Sequence, residues 1–285
     1  MMSRVAISKG TSPVETTVSA LEMVSSDVNT ILSVKRPILI KPNYINSKHP
    51  STGITTDSRV IEGIVKFLRQ REIHEIAIGE GSGFADTFQA FKTAGVDEVA
   101  ERWGVQLVDL NKDIFVEVKP SNPFSLKKVR VAKTALESTI ISVPKLKPHR
   151  IATVTLSLKN MMGALASKGT MHTGRLSENI VDLASVLRPS ISVVDGIVAG
   201  EGHETSGCPV EMNLVIAGID PVAVDAVGAA VMDIDPTEVK HLLLAEKKGL
   251  GTCNLKQITV VGQSIEDVKR KFRRSLSSKL LVHLG

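Results

Sequence analysis

Cysteines and aromatic residues are scarce in this sequence, and long apolar runs are absent. Two cysteines occur in 285 residues, Cys208 and Cys253, and they form no C-x-x-C pair. Two thiols are too few for a disulfide framework or for an iron–sulfur cluster held by this chain alone. No apolar run approaches the roughly 18 residues of a transmembrane helix, and the first residues do not have the pattern of a signal peptide. The sequence therefore predicts a cytoplasmic globular protein.

The positive charge is concentrated in one part of the chain. Residues 240–285 hold ten Lys and Arg against three Asp and Glu, which leaves 25 basic and 27 acidic residues in the rest. Aromatic residues make up only 3% of the chain and offer little for base stacking. Sequence-specific recognition of nucleic acid is therefore not expected.

Apolar, β-branched runs alternate with helical patterns, which predicts an α/β fold. We expect a mostly parallel sheet with helices on both faces, formed by residues 1–263 and arranged as one body or as two lobes around one crevice. A Pro-rich stretch, residues 119–123, is the candidate lobe boundary. Strands are predicted at residues 5–8, 38–40, 75–78, 106–110, 139–143, 191–194, 213–217 and 257–261, and helices at 58–70, 176–187 and 221–232.

Charged residues follow five of the predicted strands. In open parallel sheets, ligands bind outside the carboxyl ends of the strands, so these segments are expected to converge on one site. The alternative is that strand ends are polar simply because they meet solvent. The segments are Lys41-Pro42-Asn43, Gly79-Glu80-Gly81-Ser82-Gly83, Pro144-Lys145-Leu146-Lys147-Pro148-His149, Asp195-Gly196 and Asp220-Pro221.

The prolines at 144 and 148 favour extended backbone between them, which would point alternate side chains to one side. Ammonium groups on one face suit a carboxylate or phosphate ligand, although a solvated edge with long lysine side chains is the alternative. The predicted ligand-binding residues are Lys41, Asn43, Gly81, Ser82, Lys145, Lys147 and Asn160.

Three further residues are candidates for chemistry on such a ligand. His149, Lys159 and His172 lie within 24 residues of one another, next to a predicted strand end. Imidazoles near neutral pH move protons, and a lysine can act covalently or electrostatically. Carboxylates could hold a divalent metal, and the candidates for that role are Glu80, Asp195 and Glu201. Asp225, inside an apolar helix, either pairs with a buried cation or reaches the site.

The strand-end motifs, together with Lys159-Asn160-Met161-Met162-Gly163 and Asp220-Pro221-Val222-Ala223-Val224-Asp225, resemble the domain of unknown function 362 family. The resemblance spans approximately residues 35–255. Many members of that family carry an attached ferredoxin module with cysteine-ligated clusters, which this chain lacks. The resemblance therefore implies a ferredoxin-like partner rather than a cluster in the same chain.

A more distant similarity is to the nickel-pincer lactate racemase family. There, a histidine after a strand, a lysine ten residues on and a second histidine contact the cofactor. His149, Lys159 and His172 are similar in type and order, but Ser157-Leu158 stand where that family has paired glycines. The similarity implies a shared fold and leaves two alternatives open: no shared cofactor, or a divalent metal or metal-containing cofactor in the same crevice.

Two functions of different classes follow from these residues. The first is an enzyme that binds a small anionic substrate through its lysines and moves protons with its histidines. The second is an accessory or binding protein that serves metal or iron–sulfur chemistry supplied by a redox partner.

Residues 264–285 carry a basic amphipathic pattern that predicts a C-terminal helix. The apolar residues recur at three- or four-residue steps among Lys and Arg, and they are Ile265, Val268, Phe272, Leu276 and Leu280. The stripe either docks on the body of the protein or attaches the chain to an anionic membrane or an acidic partner. Docking is the expected outcome.

Overall fold

A computed structural model describes residues 2–275 of the chain. Its strands are β1 (Ser3–Lys9), β2 (Ile38–Pro42), β3 (Ile76–Glu80), β4 (Gln106–Asp109), β5 (Phe115–Val118), β6 (Val129–Ala132), β7 (Thr139–Val143), β8 (Pro148–His149), β9 (Thr153–Val154), β10 (Ile191–Glu201), β11 (Cys208–Gly218) and β12 (Ile258–Gly262). Its α-helices are α1 (Pro13–Met23), α2 (Ser25–Leu32), α3 (Ser58–Arg69), α4 (Thr87–Ala94), α5 (Val96–Trp103), α6 (Lys133–Glu137), α7 (Leu156–Asn160), α8 (Leu176–Ala184), α9 (Pro221–Val231), α10 (Lys240–Lys247) and α11 (Ile265–Val268).

Eight strands form the main sheet, in the order β12-β1-β11-β10-β7-β2-β3-β4. Neighbouring pairs from β10 to β4 are parallel, and β11 is antiparallel to both β10 and β1. The α/β fold with a mostly parallel sheet is thus confirmed. Each predicted strand, and each of the three helices predicted before residue 264, is present within a few residues of its predicted bounds, and β10 and β11 extend well beyond theirs.

The sheet separates two apolar cores because successive side chains of a strand point to opposite faces. Leu39 packs in the core that contains α7, α8, α9 and α10, while Ile38 and Ile40 pack in the core beneath α1, α3 and α4. Helices therefore cover both faces, as predicted. No helix among residues 2–275 has the length and apolar character needed to cross a membrane.

Side-chain caps set the start of α3 and of α9. Asp57 accepts the backbone N–H of Arg59 at 2.9 Å at the start of α3. Asp220 accepts the N–H groups of Val222 and Ala223 at 3.0 and 3.1 Å at the start of α9, where Pro221 occupies the first turn. Caps of this kind satisfy amide groups that have no partner inside the helix.

The direction of β11 corrects one prediction about the site. Residues 213–217 were expected to belong to a parallel strand whose carboxyl end lies beside the others. Because β11 runs the opposite way, Asp220 lies at the other edge of the sheet, where it accepts a hydrogen bond from Ser3 Oγ at 2.7 Å. The reversal instead brings the loop between β10 and β11, residues 202–207, to the edge where β2, β3 and β7 end.

In the described part of the segment predicted to form the C-terminal helix, residues 264–275, the helix is α11. It ends at Val268, and residues 269–275 continue as an extended strap; Leu276 and Leu280 lie outside the described residues. The strap is held because Arg270 N and Phe272 N donate to carbonyls at the end of α9, and Arg273 O accepts from Gly202 N at 2.7 Å. Val268 and Phe272 are buried against the body, as docking predicts.

The loop between β5 and β6, which contains residues 119–123, is anchored by one buried carboxylate. Asp182 on α8 accepts the backbone N–H groups of Phe124, Ser125 and Leu126 at 2.7–2.9 Å and pairs with Lys248 at 2.9 Å. Phe124 and Leu126 pack against the apolar core. A division into two lobes at this loop stays a prediction.

Replacing this anchor should destabilise the fold. Asp182→Ala is expected to lower the free energy of unfolding by about 3 kcal/mol, because three amide groups and one ammonium lose a buried partner. Chemical denaturation measures the change. Glu178→Ala, on the same helix, removes only a partly exposed pair with Lys240 and should cost less than about 1 kcal/mol. Equal losses in the two variants would contradict the anchoring role.

Candidate functional site

The carboxyl ends of β2 and β3 are joined by a buried ion pair. Lys41 Nζ donates to Glu80 Oε1 at 2.8 Å, and neither side chain is more than 3% exposed. Glu80 also accepts the backbone N–H groups of Tyr44 and Gly81 at 3.2 and 2.8 Å. Burial lowers the pKa of Lys41, and the Glu80 carboxylate opposes that effect. Lys41, a predicted ligand-binding residue, and Glu80, a predicted metal ligand, thus form an ion pair with each other.

Asn160, at the end of α7, connects this pair to β7. Its Oδ1 accepts from Lys41 Nζ at 3.3 Å, and its Nδ2 donates to Lys41 O and to Ser142 Oγ at 3.0 and 3.1 Å. Gly163 packs directly on the pair, since a Cβ there would collide with Glu80 Oε1 and Lys41 Nζ. The motif residues from three segments therefore form one interlocked framework.

A second buried ion pair joins the segment after β7 to β10. Lys145 Nζ donates to Asp195 Oδ2 at 2.7 Å, with both side chains fully buried. Asp195 also accepts the N–H groups of Asp57 and Ile197 at 2.7 and 2.9 Å. Burial raises the pKa of Asp195, and the Lys145 ammonium counteracts it. Asp195 lies inside β10, which continues to Glu201, rather than at a strand end.

Beside these pairs lies a cavity of about 620 Å³. All three predicted catalytic residues line it, together with five of the other predicted site residues: His149, Lys159 and His172, with Asn43, Glu80, Gly81, Lys147 and Asn160. The remaining five are not part of its wall: Lys41, Ser82, Lys145, Asp195 and Glu201. The strand-end segments of β2, β3 and β7 therefore converge on one cavity, as predicted. The buried side chains of Lys41, Lys145 and Asp195 are not part of its wall.

Two lysine ammonium groups are crowded on the cavity wall. Lys147 Nζ donates to Ile54 O and Glu204 O at 2.7 and 3.0 Å, and burial lowers its pKa to about 7, assisted by the charge of Lys159. Burial lowers the pKa of Lys159 to about 8, with the Glu204 carboxylate opposing. Lys159 is partly exposed, and within residues 2–275 its Nζ makes no hydrogen bond and no ion pair. The cavity thus has more positive charge than its own carboxylates neutralise.

His149 is held in one tautomer by the turn between β8 and β9. Its Nδ1 accepts the N–H groups of Ile151 and Ala152, both at 3.1 Å, so the proton of the neutral ring is assigned to Nε2. Burial, and then the charge of Lys159, lower the pKa of His149 and keep it neutral. The pKa of the more exposed His172 is lowered by the same two causes. His149 is consequently a hydrogen-bond donor to its surroundings through Nε2.

Glu204 is the residue of this site that sequence reasoning missed. Its carboxylate lies 3.2 Å from Arg150 Nε and 3.5 Å from His149 Nε2, and it lines the cavity. Glu204 lies three residues after Glu201, the carboxylate that the sequence analysis names as a candidate metal ligand. Glu201 instead pairs with Arg273 at 2.7 Å in the C-terminal strap. The reversed strand β11 is what brings Glu204 to the cavity.

The position of Lys159 depends on Asp225. This carboxylate on α9 accepts the backbone N–H groups of Ser157 and Leu158 at 2.7 and 2.9 Å, at the start of α7. Burial raises its pKa to about 8. Leu156, immediately before Ser157, has a φ of 36°, a strained conformation for a residue with a side chain. Asp225 therefore neither pairs with a cation nor reaches the cavity; it fixes the helix that carries Lys159.

Three wall residues contribute buried polar atoms with no hydrogen-bond partner in the described part of the chain. The atoms are Asn43 Oδ1, Tyr44 OH and Thr155 Oγ1. Buried polar atoms are normally paired, and each exception calls for an explanation such as a bound molecule. Tyr44 and Thr155 lacked a sequence signal because lone hydroxyl residues have no diagnostic spacing.

The three predicted metal ligands are each engaged in a different ion pair. Glu80 pairs with Lys41, Asp195 with Lys145 and Glu201 with Arg273. Across residues 2–275, no group of three or more His, Cys, Asp and Glu side chains is arranged to hold a metal ion. These carboxylates therefore do not form one coordination site.

Together these features define an α/β protein with a cation-lined cavity at the carboxyl edge of its sheet. Residues 38–230 match the model of a family described as Domain of unknown function (DUF362), and the chain belongs to that family. The family predicted from the motifs is confirmed. The chain is also similar to the thylakoid-associated protein sll1697 of Synechocystis sp. (strain ATCC 27184 / PCC 6803 / Kazusa), with 25% identity over 223 residues that cover 75% of this chain and 68% of the relative. The cytoplasmic location of this chain stays a prediction.

Breaking the buried ion pair between Lys145 and Asp195 should destabilise the protein strongly. Lys145→Met is expected to lower the free energy of unfolding by about 3–5 kcal/mol, because Asp195 would stay buried without its cation. Lys66→Met, which breaks an exposed pair with Glu15, serves as the control and should cost no more than about 1 kcal/mol. Urea denaturation measures the free energy of unfolding of both variants. A loss in Lys145→Met as small as that in Lys66→Met would contradict the stabilising role of the buried pair.

Proposed function

We propose that the cavity binds a small anionic molecule whose charge is held by Lys147 and Lys159. The observation that carries the proposal is that Lys159 Nζ lies on the cavity wall without a protein partner in the described residues, while Glu204 is shared by its cationic neighbours. Burying an ammonium group without a partner costs free energy. A carboxylate or phosphate would supply the missing negative charge and accept charge-assisted hydrogen bonds.

The histidines of the cavity are suited to moving a proton on the bound anion. The pKa of His172 is lowered by burial and by the charge of Lys159, so the ring is neutral at physiological pH and its free ring nitrogen can accept a proton. In the proposed step a substrate C–H or O–H bond breaks, the proton passes to a ring nitrogen of His172, and the electron pair stays on the substrate. Lys147 and the Nε2–H of His149 would stabilise the negative charge that develops. His172, at the exposed side, would exchange protons with solvent.

Replacing Lys159 should weaken anion binding without destabilising the fold. Lys159→Met is expected to weaken the binding of sulfate by about tenfold or more, since a hydrogen bond to a charged group is worth about 1.5–3 kcal/mol. The melting temperature should stay the same or rise, because an ammonium group that is partly desolvated and has no protein partner is removed. Isothermal titration calorimetry and a thermal melt measure the two effects, with the exposed Lys48→Met as the control. A lower melting temperature with unchanged sulfate affinity would mark Lys159 as structural.

Anion binding should also depend on pH with a definite sign. Lys147 and Lys159 are cationic below their pKa values of about 7 and 8, so sulfate affinity should be highest below pH 7 and fall as the pH rises through 7 to 8. A bound anion raises both pKa values, so binding at pH 8 should take up protons. Calorimetry in two buffers of different ionisation enthalpy counts those protons. A flat profile from pH 6 to 9, or proton release at pH 8, would contradict the assignment.

A further inference from the structure

The cavity wall combines a buried cation with exposed apolar side chains. Lys147 is only 3% exposed. Phe84 is 78% and Ile151 41% exposed, and both belong to the same cavity wall as the lysine. The charged wall residue Arg150 is also exposed, and Lys159 is partly exposed. An apolar surface open to solvent and a buried ammonium group thus belong to one cavity.

Phe84 is held at this position by the backbone around it. Its N–H donates to Ile45 O at 2.9 Å, and a Cβ at Gly83 would lie 2.8 Å from Ile45 Cδ1. The glycine thus lets Ile45 pack directly against the loop that presents Phe84. Nearby Phe88, by contrast, packs edge-to-face on Phe91, with ring centroids 6.0 Å apart.

A single exposed phenylalanine is common and carries no argument alone. Here, however, four apolar side chains line one cavity that also holds the unpaired ammonium: Ile45, Phe84, Ile151 and Met162. The cavity volume of about 620 Å³ corresponds to about twenty water molecules at roughly 30 Å³ each. Sulfate or acetate would fill a small part of it, whereas pockets of this size typically enclose organic ligands.

We infer that the ligand is an organic acid, a carboxylate or a phosphate monoester, with an apolar body that lies between Phe84 and Ile151 while its acid group reaches Lys147 and Lys159. The inference rests on the proposed anion binding and names the class of molecule for the same cavity. Apolar side chains at the mouth would exclude water from the ion pair once the body is seated, which strengthens the attraction at the base.

Calorimetry with matched probes tests this inference. 3-Phenylpropionate should bind about tenfold or more tighter than acetate, because its phenyl group leaves water on binding. Phe84→Ser should weaken 3-phenylpropionate severalfold and leave acetate unchanged, and Phe88→Ser, at a phenylalanine that is 46% exposed outside the cavity wall, should change neither. Lys159→Met should weaken both. Phenyl phosphate, compared with inorganic phosphate, should show the same dependence on Phe84 if the acid is a phosphate.

The outcomes separate the two proposals. If 3-phenylpropionate binds no tighter than acetate while both depend on Lys159, the apolar body is ruled out and anion binding stands. If neither acid binds, and sulfate does not bind either, both proposals fail. If neutral 3-phenylpropanol binds as tightly as 3-phenylpropionate, the acid group is irrelevant and the assignment to an organic acid is overturned.

Discussion

Two lysine–carboxylate ion pairs, buried where the parallel strands end, are the constraint on which the site depends. Lys41 with Glu80 joins β2 to β3, and Lys145 with Asp195 joins the segment after β7 to β10. Each carboxylate also accepts two backbone amides, so neither charge is left unsatisfied. Loss of one partner would leave a bare charge in the interior. The loops at this edge are thereby fixed relative to one another, and the cavity wall is built on them.

The strand-end pattern predicted the fold well because burial on both faces of a parallel sheet requires continuous apolar runs, which the sequence shows directly. It also predicted that segments from β2, β3 and β7 meet at one edge, because the carboxyl ends of parallel strands lie side by side. It could not assign Lys41 and Lys145 to the framework, because a lysine after a strand has the same pattern whether it faces a ligand or a carboxylate of the same chain. That distinction depends on partners 39 and 50 residues away.

The antiparallel direction of β11 explains why the sequence analysis misplaced Asp220 and missed Glu204. The runs at 191–194 and 213–217 have the composition of parallel strands, and the hairpin that joins them is long and contains polar residues. No local sequence feature indicates that β10 continues to Glu201 and that the chain then turns back into β11. Glu204 therefore could not be placed at the cavity, and Asp220 was placed at the wrong edge. Strand direction is decided by the packing of the whole sheet.

The loops around the cavity also bear on how relatives could differ. Phe84, Ile151 and Glu204 each lie on a short connection at the carboxyl edge, whereas the buried ion pairs lie beneath them. Substitutions in these connections would alter the shape and polarity of the opening without disturbing the charges below. A lineage could thus exchange one ligand for another through a few surface changes while the supporting framework stays intact. Such an arrangement is a physical basis for functional divergence within one family.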